Sequence, residues 1–406
     1  MTTVYATADK YFKDLWLDPV SVMTEMFKNR PLWAWMPISY NVPGNVWYRT
    51  VGTTLSAGVS NTFGDAQSNA KLPNPSRFSM SPIDIHGVER LGRKIMLQSA
   101  STKGALFDLT KGKFDSLIES IAWKAHRQIY RSGTGVIGQR ASASTNVITL
   151  SNAADHVNFY IGMVIEASAT DGGALRSGST YVTAVTPGRT TSTITLNSAA
   201  AITSFADNDY LYVGGDAAEA STNLAITGLE GWLPNTVTST SFNGVDRTID
   251  TRNLAGWRVD AQTEGLDARD SLEALVTEIQ TGTGRNPDII FTHPRVAEAV
   301  RLAASDNIRY VEVKANYELI IKGFEVLGVP VVADYACPTG KAFALSKDSC
   351  QVNMVNGRFP DIVNESGSDQ LLMATEDAYE MRTSTYLQFE LIKPINCGVA
   401  YGIPTA

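Results

Sequence analysis

The sequence predicts an α+β chain interrupted by a separate all-β unit, and three observations carry that prediction. A single helix-period stretch dominates the first third: Phe114, Leu117, Ile118, Ile121 and Ala125 share one face of Lys113–Arg131, with Lys113, Glu119, Lys124 and Arg127 largely elsewhere. Helix and strand signals then mix over 224–342 and give way to strands from Gln370 onward. Between these regions, from Val136 to Thr222, lysine is absent, charge is sparse, and Ser, Thr, Ala and Gly dominate.

The elements follow in chain order. Residues 1–45 read as an arm, with a helix start at Asp18-Pro19 and Val20, Met23 and Phe27 at helical spacing. Pro31, Pro37 and Pro43 break the rest of the arm around Trp33 and Trp35. Those indoles either bury against a neighbouring chain or fold back on their own subunit. Residues 46–100 read as a long two-stranded excursion, with Val46-Trp47-Tyr48 and Ile83-Asp84-Ile85 as its strand-like segments and Arg93 to Leu97 leading back toward the body. Its tip, Thr53 to Arg77, is rich in Gly, Ser, Asn and Pro, and a loop of that length is usually either functional or disordered. The helix ends at Gly133-Thr134-Gly135.

Within 136–222, strand runs at Val147–Leu150, Gly162–Ile165, Tyr181–Val185, Ile194–Leu196 and Tyr210–Val213 alternate with turns such as Asp171-Gly172-Gly173, the pattern of a small sandwich or barrel. Beyond it, Ser271, Leu272, Leu275, Val276 and Ile279 outline a helix. Asp288–Phe291, Val329–Val332 and Ala342–Leu345 read as strands, and His293-Pro294 opens a further helix. Tyr386–Ile392 and Gly398–Ile403 close the chain as strands.

Composition narrows the function. A chain of 406 residues with 44% hydrophobic and 18% charged residues can bury a sizeable core. No apolar run reaches the eighteen or so residues of a membrane span, and the start MTTVYATADKYFKDLW has no secretory signal pattern, so folding in a cytoplasm is expected. Cys337, Cys350 and Cys397 lack the spacing of a zinc site or a disulfide framework. The net charge of −7 argues against gripping nucleic acid by its phosphates, though not against a wall that encloses it.

Chemical motifs are missing as well. The sequence contains no HExxH, no GxSxG and no Walker A pattern. Gly133, Gly135 and Gly138 match GxGxxG formally, but they follow a helix, whereas a dinucleotide site needs the motif between a strand and a helix. His126 and His293 read as packing or helix-start residues, and Asp84, Glu89 and Arg90 as cross-strand ion pairs. No catalytic, cofactor or metal residue is nominated.

The order of these features resembles the major capsid proteins of tailed bacteriophages, the Hong Kong 97-like fold. PIDIHGVERLGRKIMLQS (82–99) is similar to the return of that family's extended loop, and Phe114–Tyr130 with Gly133-Thr134-Gly135 to its spine helix. GLEG (228–231), NGVDR (243–247) and Trp257 resemble the entry to its apical domain, and PDIIFTHP (287–294) and GFEVLGVPVVAD (323–334) its core. The resemblance implies an arm over 1–45, an extended β loop over 46–100 and a peripheral domain over 101–135 and 343–397. It further implies an apical domain over 223–342 and 398–406, with 136–222 left as an inserted β domain.

What this implies is a structural protein that assembles into hexamers and pentamers of an icosahedral head, located in the virion capsid and assembled in the host cytoplasm. The head would enclose double-stranded DNA without binding it specifically, and no cofactor or membrane is involved. A separate scaffolding protein, a portal and decoration proteins are the expected partners, with Met1–Asn45 retained in the particle. Trp33, Trp35, Lys71, Arg77, Arg90 and Arg93 are the nominated inter-subunit contacts. An encapsulin-like compartment shell is the alternative. Some relatives cross-link a loop lysine to an asparagine near the last long strand; AYEMRTSTYLQFEL (378–391) contains no asparagine, so non-covalent contacts are expected here.

Overall fold

One long helix and one long strand organise the chain. The computed structural model describes residues 29–40, 42, 44–51, 58–70, 76–94, 103–198, 204–217, 224–304, 309–314, 320–355, 361–362, 371–373 and 375–405. The arm helix expected after Asp18 and the nominated Lys71 lie outside the described residues.

The helix runs Lys103–Gln128, starting well before its periodic stretch. Gly104 and Gly112 obscure that start in the sequence. Each costs about 1 kcal/mol against Ala in a helix interior, and the helix carries both. Leu117, Ile118, Ile121, Ala122 and Ala125 are buried on the face that packs against strand Ile83–Gly92.

The long strand is Ala378–Leu391. One edge pairs antiparallel with Ile83–Gly92, from Ala378↔Gly92 to Leu387↔Ile83. The other edge takes Cys350–Met354, Asp361–Ile362 and Leu371–Leu372 in turn. Ile38–Ser39 of the arm adds in parallel to Cys350–Met354.

This corrects the expected hairpin. Trp47–Val51 pairs with Ser76–Met80, not with Ile83–Ile85, from Trp47↔Met80 to Val51↔Ser76. Ile83–Gly92 instead belongs to the sheet on the long helix, where Ile85 and Leu91 bury and Asp84, His86 and Val88 face out. The tip also contains an ordered segment, the helix Phe63–Asn69, none of whose residues is buried.

A second body is a seven-stranded sheet in the order Trp257–Asp260, Gly398–Tyr401, Ala342–Leu345, Ile289–Thr292, Val329–Ala333, Ile320–Val326, Tyr310–Lys314. Side chains alternate across its central strand. Ile290 packs with Leu272, Leu275 and Val296 of the helices Ala268–Thr283 and Pro294–Ala304, while Phe291 enters the main core. Because Ala342–Leu345 lies in this sheet, the chain crosses back to the long strand's sheet at about Ser346, slightly later than the sequence division at 343.

Residues 136–213 close into a six-stranded barrel, ordered Tyr210–Val213, Val136–Ser144, Val147–Leu150, Thr193–Leu196, Thr180–Thr186, Val164–Ser168 and back to the first. Its own core holds Ile148, Ile165, Val182, Ile194, Leu196 and Leu211, each fully buried. Burying one such side chain contributes about 1.5–3 kcal/mol. The GxGxxG match has a structural origin. Gly135, at φ +89, leads into the barrel against Asp216, and Gly138 lies in its first strand under the Phe159 ring.

The helix and the second body meet at Gly228, whose N–H donates to Arg131 O at 3.0 Å. A Cβ there would stand 2.1 Å from Ile129 O and 2.4 Å from its carbonyl carbon, and backbone cannot yield. Gly228→Ala is expected to destabilise the subunit by about 2–3 kcal/mol, read as a lower urea midpoint. An unchanged midpoint would show that the junction is looser than this.

Candidate assembly site

Where the arm enters, a buried carboxylate ties three elements together. Asp334 directly follows strand Val329–Ala333 and is buried, 1% exposed. His126 Nε2 lies 2.8 Å from its Oδ1, and the Tyr130 hydroxyl donates to Oδ2 at 2.9 Å. Ala336 N–H donates at 3.1 Å and Leu32 N–H, from the arm, at 3.4 Å. Burial pushes this carboxyl up, but His126 and the donated hydrogen bonds outweigh it and hold the group below the usual carboxylate range.

The arm is therefore part of the subunit's own core. Trp33 and Trp35 are 0% and 3% exposed, and Trp35 meets Phe291 edge-on at 5.8 Å. Both indoles pack within the subunit's own core, one of the two placements the sequence left open. The short helix Pro31–Trp35, with Pro at its start, turns both indoles inward. Arg30 pairs with Glu119 of the long helix at 2.5 Å.

A second buried carboxylate holds the root of the extended loop. Glu390, on the long strand, accepts from Asn353 Nδ2 at 2.6 Å, from Trp47 Nε1 at 3.2 Å and from Arg49 Nε. Across the hairpin, the Arg77 guanidinium stacks 3.9 Å over Tyr48, so this nominated residue braces its own loop. Phe78 packs edge-on to Trp232 at 5.1 Å, and Ser79 N–H donates to Asn243 O.

The barrel sits on the last turns of the long helix. Lys124 pairs with Asp216 at 2.8 Å and Arg131 with Asp155 at 3.0 Å, and Trp123 meets Tyr160 edge-on at 5.5 Å. Arg127 stacks 4.2 Å from Trp123 and donates to Asn158 O at 3.1 Å. Burial, then the Arg131 charge, lowers its guanidinium to about 9. Arg189–Glu298 at 3.3 Å links a barrel turn to helix Pro294–Ala304.

The remaining nominated residues stand on the outer sheet face. Arg90 pairs with Glu380 at 3.3 Å and Glu376 at 3.8 Å, and Arg93 with Asp377 at 3.4 Å. Arg90–Glu376 and Arg93–Asp377 are exposed pairs, each contributing about 0–1 kcal/mol, whereas the Glu380 side chain is buried beneath the half-exposed Arg90. Glu89 reaches Lys113 of the helix at 2.6 Å. Sequence reasoning missed Asp334, Glu390 and Arg127 as organising residues. The signal available for the two acids was a carboxylate set in an apolar run, VPVVAD and LQFEL.

Among solved structures, the chain is similar to one from the cyanophage A-1(L) capsid asymmetric unit. Identity is 14%, the match covers 94% of this chain and 92% of that one, and the TM-score is 0.53. A chain of the holo-SrpI encapsulin complex from Synechococcus elongatus matches at 9% identity, covering 92% and 87%, with a TM-score of 0.48. A capsid chain of the native GTA particle matches at 10%, covering 93% and 91%, with a TM-score of 0.44. No family model and no curated protein matches the sequence. The likeness to the cyanophage chain establishes a shared fold over nearly the full length of both.

Proposed function

We propose that this chain is a major capsid protein of a tailed bacteriophage, a Hong Kong 97-like subunit carrying the barrel as an inserted domain. The observation that carries this reading is the full-length likeness to the cyanophage capsid chain. The anatomy supports it: an anchored hairpin whose tip buries nothing of its own, a long helix under a sheet, and a second α/β body. Such a chain works by presenting surfaces to copies of itself, without catalysis. Hexamers and pentamers of it would close an icosahedral shell around double-stranded DNA, with scaffold, portal and decoration proteins as separate chains.

Electron microscopy of the expressed chain is the deciding experiment. Closed icosahedral particles are expected, and nuclease-protected double-stranded DNA in particles from infected cells. Particles holding a packaged enzyme and no DNA would point to a compartment shell, and a chain that stays monomeric under all conditions would defeat the reading. The shell is also expected to be non-covalent. Boiled, reduced particles should run as one band near 43.9 kDa, and a ladder surviving that treatment would refute it.

A further inference from the structure

Near its end the chain passes between its two sheets twice, and both passages meet at one place. Going out, Ala342–Leu345 of the seven-stranded sheet leads through Lys347–Ser349 into Cys350–Met354 of the long strand's sheet. Coming back, the long strand ends at Leu391, and the short helical turn Pro394–Asn396 leads through Cys397 into Gly398–Tyr401. Two hydrogen bonds tie the passages together. Ile392 N–H donates to Ser349 O at 2.7 Å, and Asn396 Nδ2 donates to Ser349 Oγ at 3.2 Å.

These bonds set residues 349–350 beside 396–397 and bring two cysteines together. Cys350 and Cys397 are both fully buried in the main core, with their thiols in hydrogen-bond contact. Cys337 shares that core, but its thiol donates to the carbonyls of Pro338 at 3.8 Å and Lys341 at 3.7 Å. Two thiols in contact are within reach, by side-chain rotation, of an S–S bond of about 2.05 Å. Burial, then the hydrogen bond to Cys397, pushes the Cys350 thiol well up. Little of it is thiolate at neutral pH, so the pair reacts slowly.

We propose that Cys350 and Cys397 form a modification site, a dithiol that a peroxide converts into a disulfide within one subunit. One thiolate attacks a peroxide oxygen, the O–O bond breaks, and the departing hydroxide leaves as water with the proton that the thiol gave up. The second thiol then attacks the sulfur of the resulting sulfenic acid. An S–S bond forms, the S–O bond breaks, and the second proton leaves with the hydroxide as another water. The two sulfurs together lose two electrons and the peroxide gains them. The bond would fasten the outgoing passage to the returning one, adding a covalent join to the hydrogen bonds at Ser349. It would also close a ring that contains the whole long strand, and such a cross-link stabilises by constraining the unfolded chain. It concerns the single subunit and does not depend on the shell reading.

Thiol counting on the full chain tests the site. The reduced, folded chain is treated with hydrogen peroxide at about pH 8, where some thiolate forms, and is then alkylated in denaturant. Before peroxide Cys337, Cys350 and Cys397 should all take the label; afterwards Cys337 alone should. Digestion should give a peptide pair joined through Cys350 and Cys397, exceeding any link to Cys337 by about tenfold or more. The linked chain should run as a monomer without reductant, melt at a higher temperature, and return to its first melting temperature on reduction. Cys397→Ala should show neither the link nor the rise. Because that variant truncates a core side chain, the peptide map of the native chain decides if it fails to fold. Three labelled cysteines after peroxide, oxidation of Cys350 without a link, or links that favour Cys337 would overturn the proposal. A link that leaves melting unchanged would overturn its role as a fastener.

Discussion

Asp334→Ala is expected to lower the stability of the subunit by about 3–5 kcal/mol, the range for removing one partner of a buried charged group. With total domain stability of about 5–15 kcal/mol, most of the variant should appear insoluble, and the remainder should melt at a lower temperature. The loss is large because the carboxylate satisfies donors from three elements at once. His126 and Tyr130 come from the long helix and the segment after it, Leu32 from the arm, and Ala336 from the turn after the strand. Alanine leaves all four without an acceptor inside the core. Asp334→Asn, which keeps shape and one acceptor oxygen, should fall between alanine and the native chain. A melting temperature for Asp334→Ala equal to the native one would show that this hub does not hold the arm.

Acid should act on the same region in two steps. His293 opens helix Pro294–Ala304, and its Nδ1 accepts from Arg295 N–H at 3.2 Å. Burial, then the Arg295 charge, pushes its imidazole down to about 4 from 6.5. The folded chain therefore keeps His293 neutral where the unfolded chain takes up a proton. Its contribution is complete above pH 6.5 and declines as the pH falls toward about 4. Asp334 follows: its carboxyl is held below 3.8 in the folded chain, so its contribution is lost only as the pH falls through that lowered value. Melting temperatures recorded from pH 7 to pH 4 should fall, and His293→Asn should flatten the decline. A native profile level across that range would contradict the assignment.

Local periodicity revealed what is local. The long helix was legible from Leu117, Ile118, Ile121 and Ala125, and the helix Ala268–Thr283 from Ser271, Leu272, Leu275, Val276 and Ile279, all buried. Most barrel strands were legible because β-branched and aromatic residues alternate with glycine turns. The first, Val136–Ser144, was not, since QRASAS carries little strand propensity and depends on pairing with Tyr210–Val213 and Val147–Leu150. The loop's return strand was misplaced for a related reason. SRFSM offers one strong residue, Phe78, whereas IDIHGVERLG alternates well, and local pattern does not say which strand pairs with which.

The organising side chains were harder to read because burial is a tertiary property. Arg127 belongs to the polar side of the helix in sequence, and it is buried only because the barrel covers that side. Trp33 and Trp35 were ambiguous because nothing in PLWAW says which way the helix Pro31–Trp35 turns, and the donor–acceptor pairing of Leu32 with Asp334 decides it.

Glu390→Ala is expected to loosen the extended loop more than the rest of the subunit. Glu390 is fully buried in the long strand, and Trp47 and Arg49 on one strand of the hairpin depend on it, with Asn353 beside them. Removing it leaves the Trp47 N–H and the Asn353 amide without that acceptor, at about 1–3 kcal/mol each. Arg49 loses less, because its side chain is 36% exposed and water can take over. The barrel does not touch this carboxylate, so its core should stay intact. Hydrogen exchange should therefore rise at Trp47–Val51 and Ser76–Met80 by tenfold or more, with barrel peptides unchanged. A tip whose root is no longer held in one direction meets a neighbour less often in the right pose, so particle yield should drop as well. Glu390→Gln keeps an acceptor for Trp47 but not the charge facing Arg49, and should retain much of the protection. Equal exchange in the hairpin and normal yield for Glu390→Ala would mean that the loop is positioned by the Phe78–Trp232 contact instead.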